Sequence, residues 1–313
     1  MSIRSRIGAL FDKEALLIWA ALALLLAALL MPTIRFPRPA YDWIVVFDIT
    51  QSMNVEDYTL NGAPVSRLDY AREAVRRALP DLPCGSRVGW GAFAEYRTLL
   101  LLAPVEVCSN YDDLLRSLSN IDGRMRWSNA SEIIKGVYWA IRTSRELGFS
   151  PRVLFITDGQ EAPPLDPAYR PPVLEELTKG ETLGWLVGAG GYIPQPIPKE
   201  DENGVRIGYW RANDVIQLAV DPAQPGGRRT SEHLSSLREP HLRALAEVIG
   251  FDYVRLEDLS SISTVMRDPR LARKTPAPLD LSWFPTLIAL VLLAVRFRPE
   301  WRSTRSHAAA RTA

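Results

Sequence analysis

One run of residues narrows the possible folds more than any other: Trp43 to Met53, WIVVFDITQSM. Ile44-Val45-Val46-Phe47 is short, β-branched and aromatic, which suits a strand buried on both faces of a parallel sheet. The run stops at Asp48-Ile49-Thr50-Gln51-Ser52, where Asp48, Thr50 and Ser52 fall at i, i+2 and i+4. An extended turn there lines one edge with a carboxylate and two hydroxyls. That edge is the carboxyl end of a strand, where open α/β sheets bind their ligands. Hard oxygen donors of this kind favour Mg²⁺, Mn²⁺ or Ca²⁺ over Zn²⁺.

The rest of the chain alternates strand and helix patterns. Ser66 caps a helix carrying Leu68, Ala71, Val75 and Leu79 at helical spacing, and Pro80 and Pro83 end it. Asn54 to Val65 before it reads as a polar stretch. Arg87 to Phe93 and Thr98 to Ala103 read as strands joined by a tight turn at Ala94 to Arg97. Tyr111 to Ile121 and Ser131 to Leu147 are helices, with the loop Asp122 to Asn129 between them. Arg152 to Thr157 is a second buried strand, ending at Asp158-Gly159. A Pro-rich loop from Ala162 to Pro172 leads into a short helix, and Thr182 to Val187 is a further strand. Asn203-Gly204 marks a hairpin turn. Pro240 to Ile249 is a helix, Tyr253 to Leu256 an edge strand, and Leu259 to Arg267 a final helix. Together these predict an α/β fold: a doubly wound, mostly parallel, Rossmann-like sheet with helices on both faces and one hairpin-paired edge strand.

Cys84 and Cys108, the only cysteines, lie symmetrically about the turn at Tyr96. Residues placed this way face each other across an antiparallel pair, so a disulfide is expected in an oxidising compartment, two buried free thiols being the alternative.

Two apolar segments flank the α/β region. Ala15 to Met31 has no charged residue, with basic residues on either side. Leu281 to Val295 is followed by Arg296, Arg298, Arg302, Arg305 and Arg311. A basic tail after an apolar span marks a cytoplasmic end. The expected layout is a cytoplasmic N-terminus (1–14), a transmembrane anchor (15–31), a periplasmic domain (36–278), a second transmembrane helix (281–295) and a cytoplasmic tail (296–313), in a bacterial inner membrane. A cleaved signal peptide is the alternative for the first segment and a buried helix for the second. With 37 basic against 36 acidic residues, no nucleic-acid partner is indicated.

The Asp-x-Thr-x-Ser turn resembles the metal-ion-dependent adhesion site of von Willebrand factor A (VWA) domains. In RWSNASEI, Ser128 sits in a loop before a helix; in FITDGQE, Asp158 ends a strand. The resemblance implies that Thr50, Ser52 or Ser128 supplies hydroxyl ligands, while Asp48 and Asp158 hold the ion partly through waters. The family prefers threonine at the position of Ser128, and Asn129 or Ser131 are other matches there. The implied cofactor is a divalent cation, Mg²⁺ first, with Ca²⁺ or Mn²⁺ as alternatives. Such a site leaves one coordination position for a carboxylate from a protein partner.

Ser52-Met53, Glu56-Asp57, Arg67-Leu68 with Ala71, then Pro196-Ile197-Pro198 and Leu242 to Gly250, are similar to the Bat-type, aerotolerance-related bacterial VWA proteins. Those proteins imply partners among other Bat-like membrane proteins and a MoxR-type AAA+ ATPase. The DITQSM variant, the cysteine pair and the anchor layout are similar to a branch found in methanol-oxidation gene clusters, which implies maturation of periplasmic methanol dehydrogenase, including its calcium. This chain departs from the wider family in having one N-terminal span where two are common. A general envelope-stress, aerotolerance or adhesion role is the alternative, and a metal-dependent hydrolase a further, less favoured one. No catalytic residue is expected: none of His233, His241 and His307 lies near the metal motifs in sequence, and Thr50 stands where an aspartyl-phosphate phosphatase would want a second carboxylate.

Overall fold

The computed structural model describes residues 13–31, 34–166, 169, 171, 178–201, 203–218, 230–279 and 281–297. The short helix expected after Pro172 and the arginines from 298 onward lie outside them. The chain forms two compact units, Pro39–Thr275 and a second made of Met1–Arg38 with Pro276–Ala313.

The larger unit is built on a six-stranded sheet. Its strands are β1 (Asp42–Asp48), β2 (Arg87–Ala94), β3 (Arg97–Glu106), β4 (Arg152–Thr157), β5 (Gly184–Gly188) and β6 (Asp252–Arg255). They lie in the order β6-β5-β4-β1-β2-β3, all parallel except β3, which pairs antiparallel with β2. The expected mostly parallel sheet with one hairpin-paired edge is therefore present. The chain runs from β1 outward to β3 on one side, then returns to β4 and runs to β6 on the other. Strand order reverses between β1 and β4, the place where such sheets open a crevice at their carboxyl ends.

The apolar run of β1 fails to alternate because both of its faces are covered. Trp43, Val45 and Phe47 join the cluster holding Leu68, Ala71 and Val75 of α1 (Arg67–Ala78), Leu114 of α2 (Tyr111–Ser119) and Ile262 of a short helix, Ser261–Met266. Ile44 and Val46 join the opposite cluster, with Ile133, Val137 and Ile141 of α3 (Ile133–Glu146) and Leu242 and Leu245 of α4 (Glu239–Ile249). Alternate side chains of one strand thus serve two cores. Ser66 caps α1 as expected, its Oγ accepting from the Asp69 amide at 3.0 Å. Gly250 ends α4 in the left-handed region at φ 86°.

Gly136 brings α3 close to the sheet. A Cβ there would lie 2.2 Å from the ring of Phe93, itself fully buried. Gly136→Ala is expected to cost about 2 kcal/mol through overpacking, read as a lower denaturation midpoint; an unchanged midpoint would contradict the close approach.

Cys84 and Cys108 form the expected disulfide, with Cα atoms 5.4 Å apart. The stretch before α1 is less plain than its composition suggests. Tyr58–Leu60 pairs with Ala63–Val65 across Asn61-Gly62, both with positive φ (52° and 82°). Pro198–Glu200 pairs with Arg206–Tyr209 around Asn203-Gly204, as the turn signal predicts.

In the second unit, a helix at Lys13–Leu30 packs against one at Trp283–Arg296. These are the two apolar segments expected to span a membrane. Among the described residues, no helix is long and apolar enough to cross one. The first opens on Lys13 and Glu14, so its apolar part runs only from Ala15, about 24 Å; the second is about 21 Å long, against a hydrocarbon thickness of about 30 Å. Both leave large apolar side chains exposed, Leu29 at 82% and Leu290 at 62%.

Candidate metal centre

The site begins where β1 ends. Ile49 donates its amide to the Phe93 carbonyl at 3.0 Å, and the chain then enters a single 3-10 turn at Gln51–Asn54. This folds the Asp-x-Thr-x-Ser motif onto itself. Asp48 Oδ1 accepts from the Thr50 amide at 2.9 Å and the Thr50 hydroxyl at 2.7 Å. Thr50 Oγ1 lies 3.2 Å from Ser52 Oγ. Asp48 Oδ2 accepts from Thr157 Oγ1, on neighbouring β4, at 2.7 Å. Asp48, Thr50 and Ser52 are all buried.

Asp158, the next residue of β4's end, is fully buried as well. Its Oδ1 accepts from the Gln160 amide at 3.0 Å, and its Oδ2 accepts from Ser235 Oγ at 2.8 Å and Arg67 Nη1 at 2.7 Å. Burial, and secondarily the charge of Asp158, push the Asp48 carboxyl up to about 7, against hydrogen bonds from Thr157 and Thr50 that act the other way. Two carboxylates in a buried crevice repel, and a divalent cation relieves that repulsion.

Arg67 was not singled out by its chemistry in the sequence. It is fully buried although it stands at the first position of α1, where a positive charge opposes the helix dipole. Two acids hold it there: Asp158, and Asp57, which receives its Nη2 at 2.7 Å. Burial pulls the guanidinium's pKa down, but the charges of Asp158 and Asp57 outweigh it and the net direction is up.

In the third loop, Ser128 and Ser131 are placed differently. Ser128 Oγ accepts from the Ala130 amide at 3.2 Å and, among the described residues, has no hydrogen bond to the aspartates, Thr50 or Ser52. Ser131 does face the site. It is buried, held by a ladder in which its amide donates to the Ala162 carbonyl at 2.8 Å, and it lines the same cavity as Thr50 and Ser52. Its hydroxyl is buried and, among the described residues, has no hydrogen-bond partner. An unsatisfied buried hydroxyl costs free energy unless something coordinates it. Two aspartates, two hydroxyls in the first turn and this orphaned third hydroxyl make an oxygen set that fits a hard divalent cation. The other close group of potential ligands among the described residues, Cys84, Glu106 and Cys108, has its sulfurs consumed by the disulfide.

The cavity above the turn is about 330 Å³, and its walls are mainly apolar: Ala130, Pro163, Pro164, Ile197, Trp210 and Ile216. Gln51 ties this wall to the turn, accepting from Trp210 Nε1 at 2.5 Å and donating to Asn129 Oδ1 at 3.2 Å. Glu161 also lines the cavity; one oxygen accepts from the Ile133 amide at 3.1 Å, and the other lies 2.9 Å from His241 Nε2. His241 is far from the metal motifs in sequence yet reaches the residue three places after Asp158.

Residues 43–160 match the family model of the von Willebrand factor type A domain, from the start of β1 to just past Asp158. The fold is VWA-like. No curated protein matches the chain. Among solved structures it is similar to the conserved hypothetical protein BatB of Bacteroides thetaiotaomicron (21% identity, 72% of this chain and 94% of that one, TM-score 0.49). It is also similar to an aerotolerance-related membrane protein of Bacteroides fragilis (18%, 72% and 96%, 0.49) and to an uncharacterized membrane spanning protein of Vibrio fischeri (18%, 72% and 95%, 0.30). At these identities and scores, no functional residue is transferred from them to this VWA-like domain.

Proposed function

We propose that this chain is a non-enzymatic, cation-dependent protein-binding module of the Bat-like envelope type, tethered to a membrane by its terminal apolar helices with the VWA-like domain on the periplasmic side. The observation that carries the reading is the convergence of three loops at the sheet's switch point: Asp48, Thr50 and Ser52 in one hydrogen-bonded turn, Asp158 beside it, and the unpartnered hydroxyl of Ser131 on the same cavity. The residues that would hold the cation are Thr50, Ser52 and Ser131, with Asp48 and Asp158 offsetting its charge. Mg²⁺ suits two carboxylates and a few hydroxyls; Ca²⁺ and Mn²⁺ are the alternatives. The cation, when bound, supplies a Lewis-acidic position for a partner's carboxylate, while the Trp210 and Ile197 wall takes the apolar surface around that acid.

The terminal helices support tethering by their exposed apolar faces. The narrower expectations, calcium insertion into methanol dehydrogenase and a MoxR-type ATPase in the same pathway, have no support in the fold or in the comparisons, so the proposed partner is defined by its chemistry: a protein surface presenting an acid amid apolar residues. The test uses the full chain in detergent and a labelled peptide carrying one aspartate beside a phenylalanine. Binding with Mg²⁺ that is lost on chelation, and lost when asparagine replaces the aspartate, is the expected result. Binding indifferent to both changes would refute the reading.

A further inference from the structure

Arg67 sits where three loops of the site meet, and nothing in the metal motif accounts for it. Its guanidinium is fully shielded from solvent. Nη1 donates to Asp158 Oδ2 and to Ser235 Oγ, each at 2.7 Å. Nη2 donates to Asp57 Oδ2 at 2.7 Å and to the Ser235 carbonyl at 3.2 Å, and Nε donates to Asp57 Oδ1 at 3.0 Å. The group cannot slide away from Asp158. Gly190, at φ 117°, closes over it so tightly that a Cβ there would lie 2.7 Å from Nε. Asp57 is fixed in turn by the Gly191 amide at 2.9 Å.

We propose that Arg67 is a positioning residue of the cation site: it occupies Oδ2 of Asp158 permanently, turns Oδ1 toward the crevice, and serves as a resident positive charge beside the incoming ion. The inference rests on the cation reading given above. Its physical content is a balance of charge. Asp48 and Asp158 attract a divalent cation, Arg67 repels it, and Asp57 moderates Arg67 from the far side. An ion held by fewer effective negative charges is bound less tightly and keeps more of its attraction for an acid brought by a partner. Without the cation, Arg67 also keeps Asp158 from being a buried, unpaired carboxylate, which would be strongly destabilising.

This arrangement fixes opposite signs for two substitutions. Removing the resident positive charge with Arg67→Met strengthens divalent binding by about tenfold, while lowering the melting temperature of the cation-free protein. Asp57→Asn, which leaves the guanidinium in place but uncovers its charge, weakens divalent binding by about fivefold. Arg67→Lys keeps the charge without the fork, so its affinity for the ion stays within about threefold of the unaltered chain although its stability falls. A purely structural role for Arg67 would lower affinity in all three.

The experiment is calorimetric titration of the full-length protein and these variants with Mn²⁺ and with Mg²⁺, alongside thermal melts with and without cation. Tighter binding in Arg67→Met together with weaker binding in Asp57→Asn supports the proposal. Should Arg67→Met fail to fold, Asp57→Asn against Arg67→Lys decides it: weakening in the first and near-constancy in the second is the supporting outcome. Parallel weakening in every variant, while the unaltered chain binds the ion, overturns the role of Arg67 alone. No binding by the unaltered chain overturns the cation reading and this proposal with it.

Discussion

Asp48→Asn is expected to bind Mg²⁺ or Mn²⁺ about a hundredfold more weakly than the unaltered chain, and yet to be more stable than it at pH 8 in the absence of cations. The two effects share one cause. Asp48 is fully buried, and its carboxyl is pushed up to about 7, by burial first and by Asp158 second. At pH 8 it is ionised at a cost in the native state that the unfolded chain does not bear. Asparagine removes the charge while its carbonyl oxygen still accepts from the Thr50 amide, so the native state gains up to about 4 kcal/mol. The same exchange removes the carboxylate that offsets a bound cation. Titration calorimetry and denaturation of the two proteins check both halves. A variant that is destabilised, or that binds the ion as well as before, would show that Asp48 is a structural anchor rather than part of a cation site.

The second large effect is on pH. Asp48 has its pKa raised in the folded state above the unfolded value of 3.8. The native protein therefore holds this proton between about pH 4 and 7, whereas the unfolded chain has lost it. Stability from this group is present below pH 4, falls as pH rises through that window, and is lost above about 7, a total of about 4 kcal/mol. A divalent cation reverses the trend, because it binds the ionised form. Apparent affinity should rise roughly tenfold per pH unit from 5 to 7 and level off above that, one proton being released per ion. Asp48→Asn supplies the reference, since other acids titrate in both proteins and cancel. Melting curves without cation that differ between the two proteins by the same amount at pH 5 and pH 8 would contradict this account.

Much of the frame was legible in the residues. The apolar run of β1 announced a strand covered on both faces, and Trp43, Val45 and Phe47 against Ile44 and Val46 show why its pattern does not alternate. Ser66 as a cap and the cysteines symmetric about a turn are local features with local physics, so sequence sufficed for both. Asn54 to Val65 read only as a polar stretch, and its polar residues hid a short pair of strands that turn at Asn61-Gly62.

The site was legible only in part, because its remaining pieces are set by distant contacts. Which serine of the third loop turns inward depends on a backbone ladder that joins Ser131 to Ala162, and on the Glu95 amide, which donates to the Ala130 carbonyl at 2.7 Å. Ser128, closer to the loop's centre, ends up beside the Ala130 amide instead. Arg67 gave one local clue, a cation at the first position of a helix, but its two acid partners lie 10 and 91 positions away. For the terminal helices, composition gave the apolar character but not the length: among the described residues neither is long enough to match a bilayer's hydrocarbon thickness.

The most direct test is a crystal of the protein grown with Mn²⁺ and measured at the manganese absorption edge. One anomalous peak is expected, lying between Ser52, Ser131 and the two aspartates, with Arg67 still bonded to Asp158. No peak at that place, or a peak only at surface acids, would contradict the claim that these three loops hold a divalent cation.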